Sequence, residues 1–194
     1  INFQQIEGLL KSSIETNHFS NNGPVKKCLE LALSDVLGLH NDKRVVCANS
    51  GTSALHAILF FLFKKANRVL SLASPSFTFP SAVVGGFDCD LYDINLKDFT
   101  IPFDLKIIQN HDVIILTNLF GTYPSNIEKW ESTCNSLGKT LIFDNASSPL
   151  TRVNGINISQ LGDFSFGSLH HTKFLGFGEG GFAVVDAKDY EFFD

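Results

Sequence analysis

Lys173 lies in Ser168-Leu169-His170-His171-Thr172-Lys173, between an apolar strand-like run and Gly176-Phe177-Gly178-Glu179-Gly180-Gly181. Its neighbours Thr172, Phe174 and Leu175 are not those of an ordinary solvated face. An amine held partly out of water has its charged form disfavoured and can act as a nucleophile or base, and Schiff-base formation is the main use of such a lysine. The competing reading is a surface lysine on a glycine-rich loop, where most lysines sit. Three other groups bear on the choice. Asn49-Ser50-Gly51-Thr52-Ser53 leads from a short strand into a helix. A glycine and free amides there suit a phosphate, although Ser and Thr are also ordinary caps. In Ser74-Pro75-Ser76-Phe77-Thr78-Phe79 an aromatic could pack on a flat ligand or simply join a core. Asp144 ends the apolar run Thr140–Phe143, as a ligand-facing carboxylate, a helix cap or a structural acceptor.

Strand-like and helix-like runs alternate along the chain. Helical spacing covers Val25–Leu39, stopping near Gly38, and Pro124–Leu137, with Ile127, Trp130, Cys134 and Leu137 on one face. Thr52–Phe63 is apolar on nearly every side, as in a helix buried between layers. Ser76–Val84 reads as a short helix with Pro80 in its first turn. Strands are expected at Arg44–Ala48, Val69–Ala73, Cys89–Ile94, Val113–Thr117, Thr140–Asp144, Phe164–Ser168 and Phe182–Val185. Asn154-Gly155 signals a hairpin between Leu150–Val153 and Ile156–Ile158. Apolar strands without strict alternation indicate a sheet covered on both faces, so the expected class is α/β with three layers and a mostly parallel seven-stranded sheet. No linker or repeat divides residues 1–194.

In open α/β sheets ligands bind beyond the carboxyl ends of the strands. Four strand ends here offer a phosphate cradle, an aromatic plate, a carboxylate and a lysine, the set that pyridoxal 5'-phosphate requires. The rival, Gly176-x-Gly178-x-x-Gly181 as a dinucleotide fingerprint, fails because it precedes a strand instead of following one and opening a helix.

Composition narrows the partners. The 194 residues are 44% hydrophobic and 18% charged, enough to bury a sizeable core. A net charge of -5, with no basic run among aromatics, argues against nucleic acid. Cys28, Cys47, Cys89 and Cys134 are widely spaced and read as reduced, mostly buried thiols of a cytoplasmic protein, with no metal set implied. The apolar run Ile58–Phe63 ends at Lys64-Lys65, too short to span a membrane, and no signal peptide is evident. The sequons at Asn145 and Asn157 therefore read as accidental. The chain begins at Ile1 and has no methionine, as an excerpt of a longer protein would.

Asn22-Gly23-Pro24, Ser50-Gly51-Thr52-Ser53-Ala54-Leu55-His56, Pro75-Ser76-Phe77-Thr78-Phe79, Leu119-Phe120-Gly121 and Ile142-Phe143-Asp144-Asn145-Ala146 stand in order along the chain. Phe164-Ser165-Phe166, Ser168, Lys173, Leu175-Gly176 and Gly178-Glu179-Gly180-Gly181 complete the series. Together they resemble the StrS/DegT-type aminotransferases, fold-type-I pyridoxal phosphate enzymes that act on nucleotide-linked keto sugars. The resemblance implies an antiparallel last strand, and it implies that Lys173 carries the cofactor covalently and moves a proton. It assigns Asp144 to the pyridine nitrogen, Thr52, Ser53 and Ser168 to the phosphate, and Phe79 to the ring face. Ser147 stands where the family has Gln or His against the phenolic oxygen, and His170-His171 replace apolar or proline residues before the lysine. The resemblance further implies an amino-acid donor such as glutamate, a homodimer, and a C-terminal domain that this chain lacks. A sugar dehydratase branch carries histidine in place of the lysine, so Lys173 favours transamination. A truncated or degenerate chain acting as a non-catalytic partner is the alternative.

Overall fold

The computed structural model describes residues 3–20, 22–176 and 178–193. Helices α1 (Phe3–Thr16) and α2 (Pro24–Leu37) come first, followed by β1 (Lys43–Ala48) and α3 (Gly51–Ala66). Then follow β2 (Leu72–Pro75), β3 (Cys89–Tyr92), α4 (Leu105–Asn110), β4 (Val113–Thr117), α5 (Ile127–Leu137) and β5 (Thr140–Asp144). The small strands β6 (Arg152–Val153) and β7 (Ile156–Asn157) precede β8 (Phe164–Ser168), β9 (Gly181–Asp186) and α6 (Tyr190–Phe193). Seven strands form one sheet in the order β1-β9-β8-β5-β4-β2-β3. β9 runs antiparallel to both its neighbours, and the other pairings are parallel, as expected.

The alternation of side chains along each strand builds three layers. Val113, Ile115, Ile142, Phe164, Phe166, Ala183 and Val185 pack with Leu55, Ile58, Leu59 and Leu62 of α3 on one face. Ile114, Leu116, Leu141 and Phe143 meet Ile108, Ile127, Trp130 and Cys134 of α4 and α5 on the other, where Phe182 and Val184 also meet Leu33 and Leu37 of α2. Burying side chains of this size contributes about 1.5–3 kcal/mol each. Gly38, at φ 66°, ends α2 in the left-handed conformation that a glycine adopts without penalty.

Several boundaries move. β2 begins at Leu72 and not at Val69 because the Ser71 amide donates to Asp112 Oδ2 at 3.0 Å, and Arg68 pairs with the same carboxylate at 2.8 Å. The helix expected over Ser76–Val84 is a single 3-10 turn, Pro80–Ala82. α5 starts at Ile127 because Asn126 is left-handed, at φ 55°. The Asn154-Gly155 hairpin is present, with both residues at positive φ (51° and 84°) as a two-residue turn of this kind demands. Helices α1, α4 and α6 lie outside the elements expected from sequence. Of the thiols expected to be mostly buried, Cys134 is buried, Cys47 and Cys89 are half-buried, and Cys28 is exposed. Burial, with nearby carboxylates, pushes the Cys47 and Cys134 thiols up to about 12, so neither suits a nucleophile. Among the described residues no helix is long and apolar enough to cross a membrane.

Candidate active site

A cleft of about 360 Å³ opens beyond the carboxyl ends of β1, β5 and β8. Thr52, Phe79, Asp144, Ser168 and Lys173, all singled out from sequence, line it together. Ser50, Ser81 and Glu179 join them.

One wall is the start of α3. Ser50 Oγ accepts from Ser53 N at 3.0 Å and lies 2.9 Å from Ser53 Oγ, so Ser53 completes the cap and does not line the cleft. The first-turn amides of Gly51 and Thr52 have no intrahelical acceptor, which gives this wall a positive end suited to an anion. Only glycine lets it stand so close to the sheet: a Cβ on Gly181 would lie 2.2 Å from Ser50 C, and one on Gly51 3.2 Å from Gly167 O.

The floor is Asp144, 4% exposed at the end of β5. Its Oδ1 accepts from Ala146 N at 3.0 Å and its Oδ2 from Thr78 Oγ1 at 3.3 Å. Thr117 Oγ1 in turn donates to Thr78 Oγ1 at 3.2 Å. Removal from water raises the Asp144 pKa above the usual carboxylate range, against the Ala146 and Thr78 donors and the charge of Lys173. This buried carboxylate is met by neutral donors, and among the described residues no cation forms an ion pair with it.

The segment 169–180 supplies the remaining wall. Lys173 N donates to His170 O and Gly176 N to Lys173 O, which curls the backbone tightly around a half-buried Lys173. Ser168 Oγ accepts from His170 N at 3.2 Å. Phe79 is 66% exposed and lines the cleft. Ser147 is exposed beside Ala146 and outside the cleft lining. Sequence reasoning missed the part of Thr78, although it stands in the quoted Pro-Ser-x-Thr motif, because its contact with Asp144 crosses between two strand ends.

The residues present fit pyridoxal phosphate. An anion-binding helix start, a hydroxyl at Ser168, an exposed ring and a lysine surround a buried carboxylate that a protonated ring nitrogen would pair.

The sequence pattern of the DegT/DnrJ/EryC1/StrS aminotransferase family matches residues 3–191. The protein Rv3402c of Mycobacterium tuberculosis and Mb3436c of Mycobacterium bovis are each 29% identical to the chain over 181 residues, covering 88% of this chain and 43% of theirs. Among solved structures, DesI in the presence of its TDP-sugar product superposes with a TM-score of 0.78 at 22% identity, over 97% of this chain and 48% of that one. A DegT/DnrJ/EryC1/StrS aminotransferase of Brucella abortus gives 0.75 at 20%, over 95% and 52%. The GDP-4-keto-6-deoxy-D-mannose-3-dehydratase of E. coli, with bound hydrated PLP, gives 0.73 at 18%, over 94% and 49%. The chain thus spans less than half the length of the curated relatives it matches. It belongs to the DegT/DnrJ/EryC1/StrS aminotransferase family.

Proposed function

We propose that the protein containing this chain is a pyridoxal-phosphate-dependent aminotransferase that moves an amino group from an amino acid, glutamate being the expected donor, to a nucleotide-linked keto sugar. The observation that carries this reading is the meeting of Lys173, Ser168, Thr52 and the buried carboxylate of Asp144 in one cleft. When bound, the cofactor supplies an electrophilic carbon and an electron-accepting ring. Lys173 would hold it through Nζ, and its free amine would serve as the base that moves a proton at the substrate carbon. Asp144 would accept from the ring N–H and keep that nitrogen protonated, with Thr78 and Ala146 N fixing the carboxylate plane. Thr52, Ser168 and the first amides of α3 hold the phosphate. Ser53 acts through the cap it shares with Ser50. Phe79 covers one ring face, and Ser147 stands at the rim beside Ala146. In this reading residues 1–194 are the cofactor-binding half of a homodimer subunit, and a further C-terminal region completes the sugar pocket.

A dehydratase shares the fold, and Lys173, with its attack and proton-transfer roles, favours transamination. The test is borohydride reduction of the purified protein with excess cofactor, followed by peptide mapping. A reduced adduct on Lys173, absent from Lys173→Ala, is expected. An adduct on Lys139 or Lys188 would overturn the assignment, and no adduct at all would favour a non-catalytic partner. Glutamate-dependent amination of a nucleotide-linked keto sugar, measured by mass, then tests the reaction class.

A further inference from the structure

The segment between β8 and β9 folds back upon itself at the cleft rim. His170 bridges Gly178 in parallel, His171 N donates to Gly178 O at 2.7 Å, and Leu169 N donates to Gly180 O at 2.9 Å. Gly176 sits so close to the turn that a Cβ there would lie 1.9 Å from His170 O. Two backbone arms are thereby held side by side, one carrying His170 and His171, the other Glu179. One ligand atom from each of these three side chains lies within 4.8 Å of the other two.

We propose that His170, His171 and Glu179 form a binding site for a divalent transition-metal ion of the zinc type, at the mouth of the cleft. Two imidazoles and a carboxylate are a sufficient protein set for such an ion, with a fourth position left to water. In a tetrahedral centre with bonds of about 2.0–2.1 Å the ligand atoms stand roughly 3.3 Å apart. His170 Nε2 and Glu179 Oε1 are already 3.3 Å apart, so the larger adjustment falls to the exposed His171. Thr172 holds the His170 ring in place: its N donates to His170 Nδ1 at 3.3 Å and its Oγ1 lies 2.8 Å from the same atom, which keeps Nε2 turned toward Glu179. Such outer hydrogen bonds characteristically orient a ligating imidazole.

A simple ion pair between His170 and Glu179 leaves His171 without a role. Its ring lies 4.1 Å from that of His170, centroid to centroid, inclined at 42°. His170 and Glu179 also line the cleft, so a bound ion would fasten the two arms across Lys173 at the cleft edge. Among the described residues no other group of three such side chains is gathered, so the expected stoichiometry is one ion per chain. The site needs no cofactor and stands apart from the proposed transamination.

The experiment titrates metal-free protein with Co2+, read by ligand-field absorption, and then displaces it with Zn2+. One Co2+ per chain and stoichiometric displacement are expected. His171→Ala and Glu179→Ala, both at exposed positions, should each weaken Co2+ binding by about tenfold or more, equivalent to at least about 1.4 kcal/mol. Lys173→Ala should bind Co2+ as tightly as the parent, which separates this site from the cofactor reading. Absence of saturable Co2+ binding, or undiminished binding in either ligand variant, would overturn the proposal.

Discussion

The first residue of β9 offers a direct test of how fold and site are joined. Gly181 pairs with Ala48 on one side and Ser168 on the other, so it is fixed by two ladders. A Cβ added there would stand 2.2 Å from Ser50 C, 2.3 Å from Gly51 N and 2.4 Å from Ser50 O. All three are backbone atoms, so no side chain can swing aside. Reaching an ordinary contact of about 3.4 Å requires β9 and the start of α3 to part by about 1.2 Å. Overpacking of this severity costs about 3 kcal/mol. Replacing glycine by alanine also stiffens the unfolded chain, which offsets at most about 1 kcal/mol. The net loss is about 2 kcal/mol, a fall in melting temperature of about 4–8 °C for a chain of this size. The same displacement shifts the amides of Gly51 and Thr52. Losing one charge-assisted hydrogen bond, worth about 1.5–3 kcal/mol, should weaken cofactor binding at least about tenfold. Thermal melts without cofactor and a fluorescence titration with pyridoxal phosphate measure the two effects separately. Gly178→Ala is the control, since its Cβ meets nothing within 4 Å. It should stay within about 0.5 kcal/mol of the parent. A Gly181→Ala protein with parental melting and parental affinity would refute the argument, as would equal damage from Gly178→Ala.

Substitutions at two further positions probe buried charge. The Asp144 pKa is raised by desolvation, so its proton is held more tightly in the folded chain. The stabilisation that this proton brings is complete below the unfolded value, about 3.9, and is lost as pH rises through the folded value. Asp144→Asn should therefore stabilise the cofactor-free protein at neutral pH, with the advantage shrinking as pH approaches about 4. Urea midpoints across that range are the check, and an advantage that does not vary with pH would exclude this cause. Glu30, buried on α2, accepts from Cys47 N at 2.8 Å and from Tyr190 OH at 3.2 Å, with Lys26 Nζ 3.0 Å away. Glu30→Ala should cost about 2–3 kcal/mol in urea unfolding while Glu30→Gln recovers much of it, because the Cys47 amide keeps an acceptor. Equal losses in the two variants would place the effect in the charge alone.

The layered fold was legible because β4, β5 and β9 carry apolar residues on both faces, a pattern that a covered sheet tolerates. The order of motifs likewise placed Thr52, Phe79, Asp144, Ser168 and Lys173 at strand ends, and these five share the cleft. What escaped depends on contacts distant in sequence. β2 starts late because Asp112, at the head of β4, takes the Ser71 amide. Ser76–Val84 has helix-compatible residues, yet Ser76 N donates to Tyr92 O, holding its start beside β3 in extended form. α1 leaves Phe3, Leu9 and Ile14 exposed, so its residues do not sort into the one-sided pattern that marks a buried helix. Thr78 and Glu179 gain their meaning only when a loop and a return arm reach residues on other elements.

The antiparallel direction of β9 explains how the two halves of the cleft meet. Ser50–Thr52 and Ser168–Lys173 are far apart in sequence, and β1 and β8 are not neighbours in the sheet. β9 lies between them, and its first residue pairs with the last residue of each. A parallel β9 would begin at the opposite edge, and the segment after β8 would have to cross the whole sheet, usually as a helix. Because β9 returns directly, the segment 169–180 stays at the carboxyl ends and turns there. That short return confines Lys173 to the cleft, places Gly181 against Ser50, and sets the arm of Glu179 beside His170 and His171. The cofactor reading and the metal reading thus depend on one reversal of strand direction. Displacement of the start of β9, as in Gly181→Ala, should weaken both pyridoxal phosphate and Co2+ binding, whereas Lys173→Ala, which loses the covalent attachment, and His171→Ala should each affect only one.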